Sequence, residues 1–437
     1  MRMCALPVDF CMRRLFTAQG IRLLAEYTVT SLLSLVISFL ALRHYTPLEF
    51  GIMARVQAEV AIFSVLLTLA LDTPLLNRLV AHSQRGVLLG TSLMLRTGGM
   101  VLTLVASSFI AVLGGQDMAT TLPWLLMVLV PQAVSAANVF SILLFQDNAL
   151  GWLIPARVVI ALVFSMLRIA AINANWSFAA FNGLAIIEAL ALFGVSYWVY
   201  HRKRYALKLR FCLEVALDLL KEAWPLIVSS FVITLFFKLD LYIVSLILPY
   251  EKIAQYSAAQ RIVECYAAAL AILLNQYYIQ LIPQSPAEKL KGIATLFRSA
   301  YLLCALILLG HYTVARPILM QFFGEKYAEG ISLSVLLCGS LLFNIGGTVR
   351  GYLFVFEGLN KYHLPSALLG VATLVVITYP AVTYFGLTGA VVSLIAAQGV
   401  SVFVSSFCFS PVRRYAHLFW SSPAETLLQR PDKSSAN

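Results

Sequence analysis

The chain has 437 residues, of which 60% are hydrophobic and 12% charged, about half the charged share of a soluble domain, where roughly 25% is usual. So few charges cannot cover a water-soluble globule. The net charge of +11 does not mark a nucleic-acid binder either, because Lys and Arg are scattered between apolar runs instead of clustering with aromatics on a polar surface.

From the N-terminus, Arg2, Arg13 and Arg14 precede an apolar run from about Leu23 to Leu42 that lacks a small-residue cleavage motif. It reads as a retained first span, not a signal peptide. Apolar runs long enough to cross a bilayer core, which takes about 20 helical residues, then recur along the chain. They place spans at about 23–43, 49–72, 86–114, 121–145, 151–173 and 177–200, and again at about 222–248, 252–282, 291–316, 330–352, 363–383 and 386–409. Runs such as Leu302 to Leu309 are apolar at every position, which excludes the alternating strands of a membrane barrel. Backbone groups in lipid must then be satisfied within helices. The expected fold is an all-α polytopic membrane protein with about twelve transmembrane helices in two six-helix lobes.

Orientation follows from the excess of Lys and Arg in cytoplasmic loops. One set of loops carries Arg2, Arg13, Arg14, Arg78, Arg85, Arg202, Lys203, Arg204, Lys208, Arg210, Lys289, Lys291, Lys361, Arg413 and Arg414; the alternate set carries Arg43, Lys252, Arg316 and Lys326. Both termini are expected in the cytoplasm, although the loop after the fourth span has neither Lys nor Arg. The longest polar connection divides the chain into an N-terminal lobe at 1–200, a cytoplasmic linker at 201–221, a C-terminal lobe at 222–410 and a cytoplasmic tail at 411–437. A weak internal likeness links Tyr45-Thr-Pro-Leu-Glu49 to Leu248-Pro-Tyr-Glu251, at the start of the second span in each half. Repeats of this kind often flank a transport site.

The sequence holds no GxxxxGK[ST] loop, HExxH, GxSxG or metal-type Cys/His spacing. No catalytic residue, metal site or cofactor is assigned. The periplasmic connections are too short for a catalytic domain, and the chain is read as a non-enzyme. The seven cysteines show no CxxC pair and are expected to be free thiols. The six histidines fall at helix ends and loops, where interface-seated side chains are expected.

Ionisable side chains inside the spans carry the functional argument, because each costs roughly 2.5–3.5 kcal/mol to insert and so faces a partner or a cavity. Arg55 and Glu59, four apart, and Arg261 with Glu264, three apart, can bridge on one helix face. Arg96, Arg157, Arg168 and Arg298 have no acidic neighbour one helical turn away. With Lys238 they form a candidate cationic set, Arg55, Arg96, Arg157, Arg168, Lys238, Arg261 and Arg298, suited to an anionic substrate. Guanidinium stays protonated and matches phosphate oxygens two at a time, so a diphosphate head group is the natural guest. Asp72, Glu188, Asp240 and Glu264 are the candidates for coupling to Na+ or H+. Gly98-Gly99, Gly346-Gly347, Pro131, Pro155, Pro225 and Pro380 are read as packing features before hinges.

Several segments resemble one family. Leu220-Lys-Glu-Ala-Trp-Pro-Leu-Ile-Val-Ser-Ser230, Leu235-Phe-Phe-Lys-Leu-Asp240 and Leu248-Pro-Tyr-Glu-Lys-Ile-Ala-Gln-Tyr-Ser-Ala-Ala259 are similar to the middle of the O-antigen flippases and related polysaccharide exporters. Tyr45-Thr-Pro-Leu-Glu-Phe-Gly51, Ile318-Leu-Met-Gln-Phe-Phe-Gly-Glu-Lys-Tyr-Ala328 and Phe385-Gly-Leu-Thr-Gly-Ala390 resemble that family's turns in the same order. Lys238 stands where the family more often has Arg, and Ala254-Gln255 replaces its usual Gly. The resemblance implies the multidrug/oligosaccharidyl-lipid/polysaccharide (MOP) exporter fold and a Wzx-type task. That task is flipping an undecaprenyl-diphosphate-linked oligosaccharide across the bacterial inner membrane by alternating access. It also suggests partnership with the polymerase and glycosyltransferases of the same pathway. The alternatives are a cation-coupled MATE-type exporter, whose cavity would be acidic or apolar, and a lipid II flippase, which commonly has additional C-terminal helices. A membrane glycosyltransferase would need catalytic acids in a sizeable loop.

Overall fold

The computed structural model describes residues 18–81, 85–147, 151–202 and 208–416. Expectations placed on Arg2, Arg13, Arg14, Cys4, Cys11, His82, Lys203, Arg204, His417 and the tail beyond residue 416 lie outside the described residues.

Every regular element among the described residues is helical. The principal ones are α1 (Ala18–His44), α2 (Pro47–Phe63), α3 (Val65–Thr68), α4 (Asp72–Ala81), α5 (Arg85–Leu113), α6 (Met118–Ala136), α7 (Val139–Gln146), α8 (Leu153–Asn173), α9 (Phe178–Arg202) and α10 (Leu213–Ile247). They continue with α11 (Tyr250–Leu281), α12 (Pro286–Gly310), α13 (Arg316–Phe323), α14 (Ala328–Cys338), α15 (Ser340–Glu357) and α16 (His363–Gly399). Local chemistry sets several starts. Thr46 caps α2 and Ser285 caps α12, each with a Glu three residues on returning the hydrogen bond and a Pro in the first turn.

Nine helices among the described residues are long and apolar enough to span a membrane, ten when α2 and the segment Val65–Leu79, bent by 46°, are taken as one span. Two of the nine, Pro286–Cys338 and Asn360–Cys408, have 53 and 49 residues, more than twice the crossing length of about 20. Each is broken at a glycine in the left-handed region, Gly324 (φ 66) and Gly386 (φ 58), and doubles back there. His311 meets Ser334 at 2.8 Å across the first reversal. Gly370 packs against Ser401 across the second. With each of these counted as two passes, the second pass after Gly324 running on into α15, the described residues offer twelve passes by length and composition, in line with the spans expected from hydropathy.

Contacts divide the chain into two compact units, Met1–Glu49 with Arg55–Thr234, and Phe50–Ala54 with Leu235–Asn437. In the first unit, α5 shows how the membrane shapes packing. Its buried stripe is Gly99, Thr103, Ser107 and Ala111, while Val101, Leu102, Val105 and Phe109 are exposed. With lipid as solvent an apolar face gains nothing by turning inward, and small residues face the neighbouring backbone instead. Thr103 and Ser107 donate to the Phe63 and Glu59 carbonyls at 3.4 Å each. A second cluster packs Val65, Leu69 and Leu71 against Leu219, Ala223 and Ile227 of α10. In the second unit, α11 packs on α14 and α15, and α12 packs on α15. The five described cysteines are free thiols.

Candidate functional site

The charged side chains inside the spans are nearly all paired, mostly between helices. Arg55 donates to Glu59 at 3.3 Å and to the Gly114 carbonyl at 2.9 Å. Glu59 is fully buried and also takes a bond from Gln116. That cluster ties α2 to the turn after α5. Arg168 and Glu188 pair at 2.6 Å between α8 and α9. In the second unit Lys238 holds Glu264 at 3.2 Å. The fully buried Asp240 accepts from Tyr256 and Gln260 at 2.6 Å each. Arg261 is half-buried, within electrostatic reach of Glu264 and Tyr327. Arg298 is exposed and makes no hydrogen bond or ion pair with a described residue.

The first unit brings one part of the candidate set to a cavity. A cleft of about 730 Å³ is lined by Ser64, Val65, Leu67, Thr68, Asp72, Arg96, Pro131, Gln132, Ser135, Ala136, Asn138 and Ile142. Arg96 is buried in its wall, 4% exposed, and meets Asp72 at 2.5 Å. Its other terminal nitrogen donates to the carbonyl of Ala136. That carbonyl is available because α6 ends there, and the last carbonyls of a helix have no partner inside it. The Arg96 Nε is buried with no hydrogen-bond partner. Ser64, Thr68, Gln132, Ser135 and Asn138 add hydroxyls and amides to the lining, so the cleft combines a fixed cation with groups able to bond neutral polyols.

Sequence reading passed over the groups that extend this polar surface. Asn138, on the cleft wall, donates to Ser196 at 3.0 Å. Ser196 meets Ser141 at 3.3 Å, and Arg157 donates to Ser141 at 2.8 Å. Arg157 also pairs with Glu26 of α1 at 3.6 Å. Glu26 was findable as an acid inside the first apolar run; the serines carried no signal. Arg350 and His311 are two further buried polar groups. Arg350 is 3% exposed and donates to Val402 O, Ser405 and Ser406 at 2.9, 2.7 and 3.2 Å. His311 is buried between Tyr266 at 3.0 Å and Ser334 at 2.8 Å. Among the described residues no group of three His, Cys, Asp or Glu side chains could hold a metal ion.

A family model described as polysaccharide biosynthesis protein matches residues 17–274. No curated protein matches the sequence. Solved structures share the fold. The lipid II flippase MurJ in an inward closed conformation aligns with TM-score 0.68 and 13% identity, over 94% of this chain and 95% of its own. The MATE multidrug transporter DinF-BH aligns with TM-score 0.62 and 15% identity, over 96% and 98%. An inward-facing multidrug resistance MATE family transporter of the MOP superfamily aligns with TM-score 0.61 and 16% identity, over 88% and 96%.

Proposed function

The chain belongs to the polysaccharide biosynthesis protein family, and from that premise we propose that it is a flippase for an undecaprenyl-diphosphate-linked oligosaccharide, of the O-antigen or a similar repeat unit. The observation that carries the reading is the first-unit cleft, where the buried Arg96 lies among Gln132, Ser135, Asn138 and Thr68. A guanidinium offers a planar fork to phosphate oxygens, and amides and hydroxyls offer what sugar hydroxyls need. The lipid tail stays in the bilayer while the cleft is exposed alternately to the two sides. On this reading the protein sits in the bacterial inner membrane with both termini in the cytoplasm, and the polymerase and glycosyltransferases of the pathway are its partners. A Na+ or H+ gradient drives the cycle, with the buried carboxylate of Asp240 as the coupling candidate.

Gene deletion with complementation by wild type or Arg96→Ala, reading surface polysaccharide and the leaflet that holds the lipid-linked precursor, tests the proposal. Precursor accumulating on the cytoplasmic side and rescued only by the intact arginine is the expected result. Normal surface polysaccharide in the deletion strain, with altered sensitivity to cationic drugs, overturns it in favour of a MATE-type exporter.

A further inference from the structure

We propose that Asp72 is an internal stand-in for the substrate's phosphate: its carboxylate holds the face of Arg96 that looks into the cleft, and a diphosphate entering the cleft exchanges with it. The inference rests on the flippase reading and names how that site is switched.

The pair is asymmetric. The Arg96 side chain is 3% exposed and the Asp72 side chain 62%. The buried cation is fixed by the Ala136 carbonyl, whereas the acid is exposed and open to exchange with an incoming anion. A diphosphate also supplies more acceptor oxygens than one carboxylate, and the buried Nε of Arg96 has no acceptor.

Asp72 is moreover attached to a strained piece of backbone. Leu69 (φ 49) and Ala70 (φ 47) both lie in the left-handed region, where a Cβ crowds the following carbonyl and which non-glycine residues rarely adopt in succession. Such strain persists only where surrounding contacts hold it. Two sets of contacts do so, the burial of Leu69 and Leu71, with Ala70 packed beside them, against Leu219 and Ala223 and, beyond the turn, the Asp72–Arg96 bond. Exchange with phosphate removes the second. The 46° bend between α2 and Val65–Leu79 then relaxes, so occupation of the cleft is converted into movement of a span.

The test uses the full chain in nanodiscs and measures binding of undecaprenyl diphosphate and, separately, of inorganic diphosphate. Asp72→Asn removes the competitor and is expected to bind undecaprenyl diphosphate roughly tenfold more tightly, the equivalent of one charge-assisted hydrogen bond. Asp72→Glu, which keeps a competing carboxylate, is expected to bind less tightly than Asp72→Asn, and Arg96→Gln loses binding. Inorganic diphosphate follows the same order; an effect confined to the lipid overturns the exchange, because Asp72 would then not compete for phosphate. Spin labels at Leu48 and Asn77, with the native cysteines replaced, are expected to change separation on binding in wild type, and without ligand in Asp72→Asn. A well-folded Asp72→Asn protein that binds no more tightly, or a separation indifferent to both ligand and mutation, makes Asp72 a structural partner only and sinks the proposal. Leu69→Gly, which keeps both charges and relieves the strain, covers the case in which Asp72→Asn does not fold. It favours the bent, paired state and is expected to weaken diphosphate binding, and unchanged affinity overturns the coupling. Failure of the wild type to move lipid-linked oligosaccharide in vesicles refutes the flippase reading alone, and the binding arms still decide the exchange.

Discussion

Glu59 is fully buried and depends on Arg55 and Gln116 for its hydrogen bonds, so its neighbours carry a stability cost that an exposed charge does not. Breaking a buried pair leaves one charge without compensation, at about 3–5 kcal/mol, whereas replacing both partners by apolar groups of similar volume is often neutral. Arg55→Met is therefore expected to lower the thermal midpoint of the purified protein sharply, and Arg55→Met with Glu59→Leu to restore most of it. If the double variant melts as low as the single one, the pair does more than neutralise itself. Arg350 makes a complementary case. Its partners Val402, Ser405 and Ser406 are all neutral, so Arg350→Met strands no opposite charge. It is expected to cost less than Arg55→Met in the same melting experiment.

At the scale of elements, the broken second span is shaped by its neighbour. A Cβ on Gly99 of α5 would run into the Leu66 carbonyl, while a Cβ on Gly98 would meet nothing within 4 Å. The bend at Ser64 to Ala70 therefore needs the bare surface of Gly99. Gly99→Ala is expected to destabilise by about 1–3 kcal/mol, the usual penalty for forced overpacking, and to lower folded yield, with Gly98→Ala indistinguishable from wild type in the same expression and melting assays. Gly386 works through conformation. At φ 58 and ψ −136 it reverses the chain within α16, a backbone state that is essentially glycine's alone. Gly386→Ala is expected to abolish accumulation of folded protein in membranes, read by protease resistance. The expectation that intraspan glycines serve packing describes Gly99, whereas Gly386, the first residue of the expected span 386–409, lies at a reversal of the chain.

For the whole molecule, the proposed topology has a direct check. A phosphatase fused after Asn437 is expected to be inactive and a fluorescent protein at the same place bright, since both termini are assigned to the cytoplasm; an active phosphatase reverses the orientation. The spans themselves were legible in the sequence because the contest between water and lipid for an apolar run is decided locally, by run length and by the charges at its ends. Arg55–Glu59 was legible for the same reason, being one helical turn long. The partners of the other arginines were not. Asp72 lies 24 residues from Arg96 and Glu188 lies 20 from Arg168, and Glu264, within electrostatic reach of Arg261, is also held by Lys238 of the preceding helix. Composition and periodicity by themselves determined an all-helical membrane chain with cations placed inside its apolar runs. Only the tertiary structure decided which cation lines a cleft and which acid it pairs with there. That choice depends on how the helices reverse and approach, and on left-handed backbone at Leu69 and Ala70, for which no one-turn pattern holds a signal.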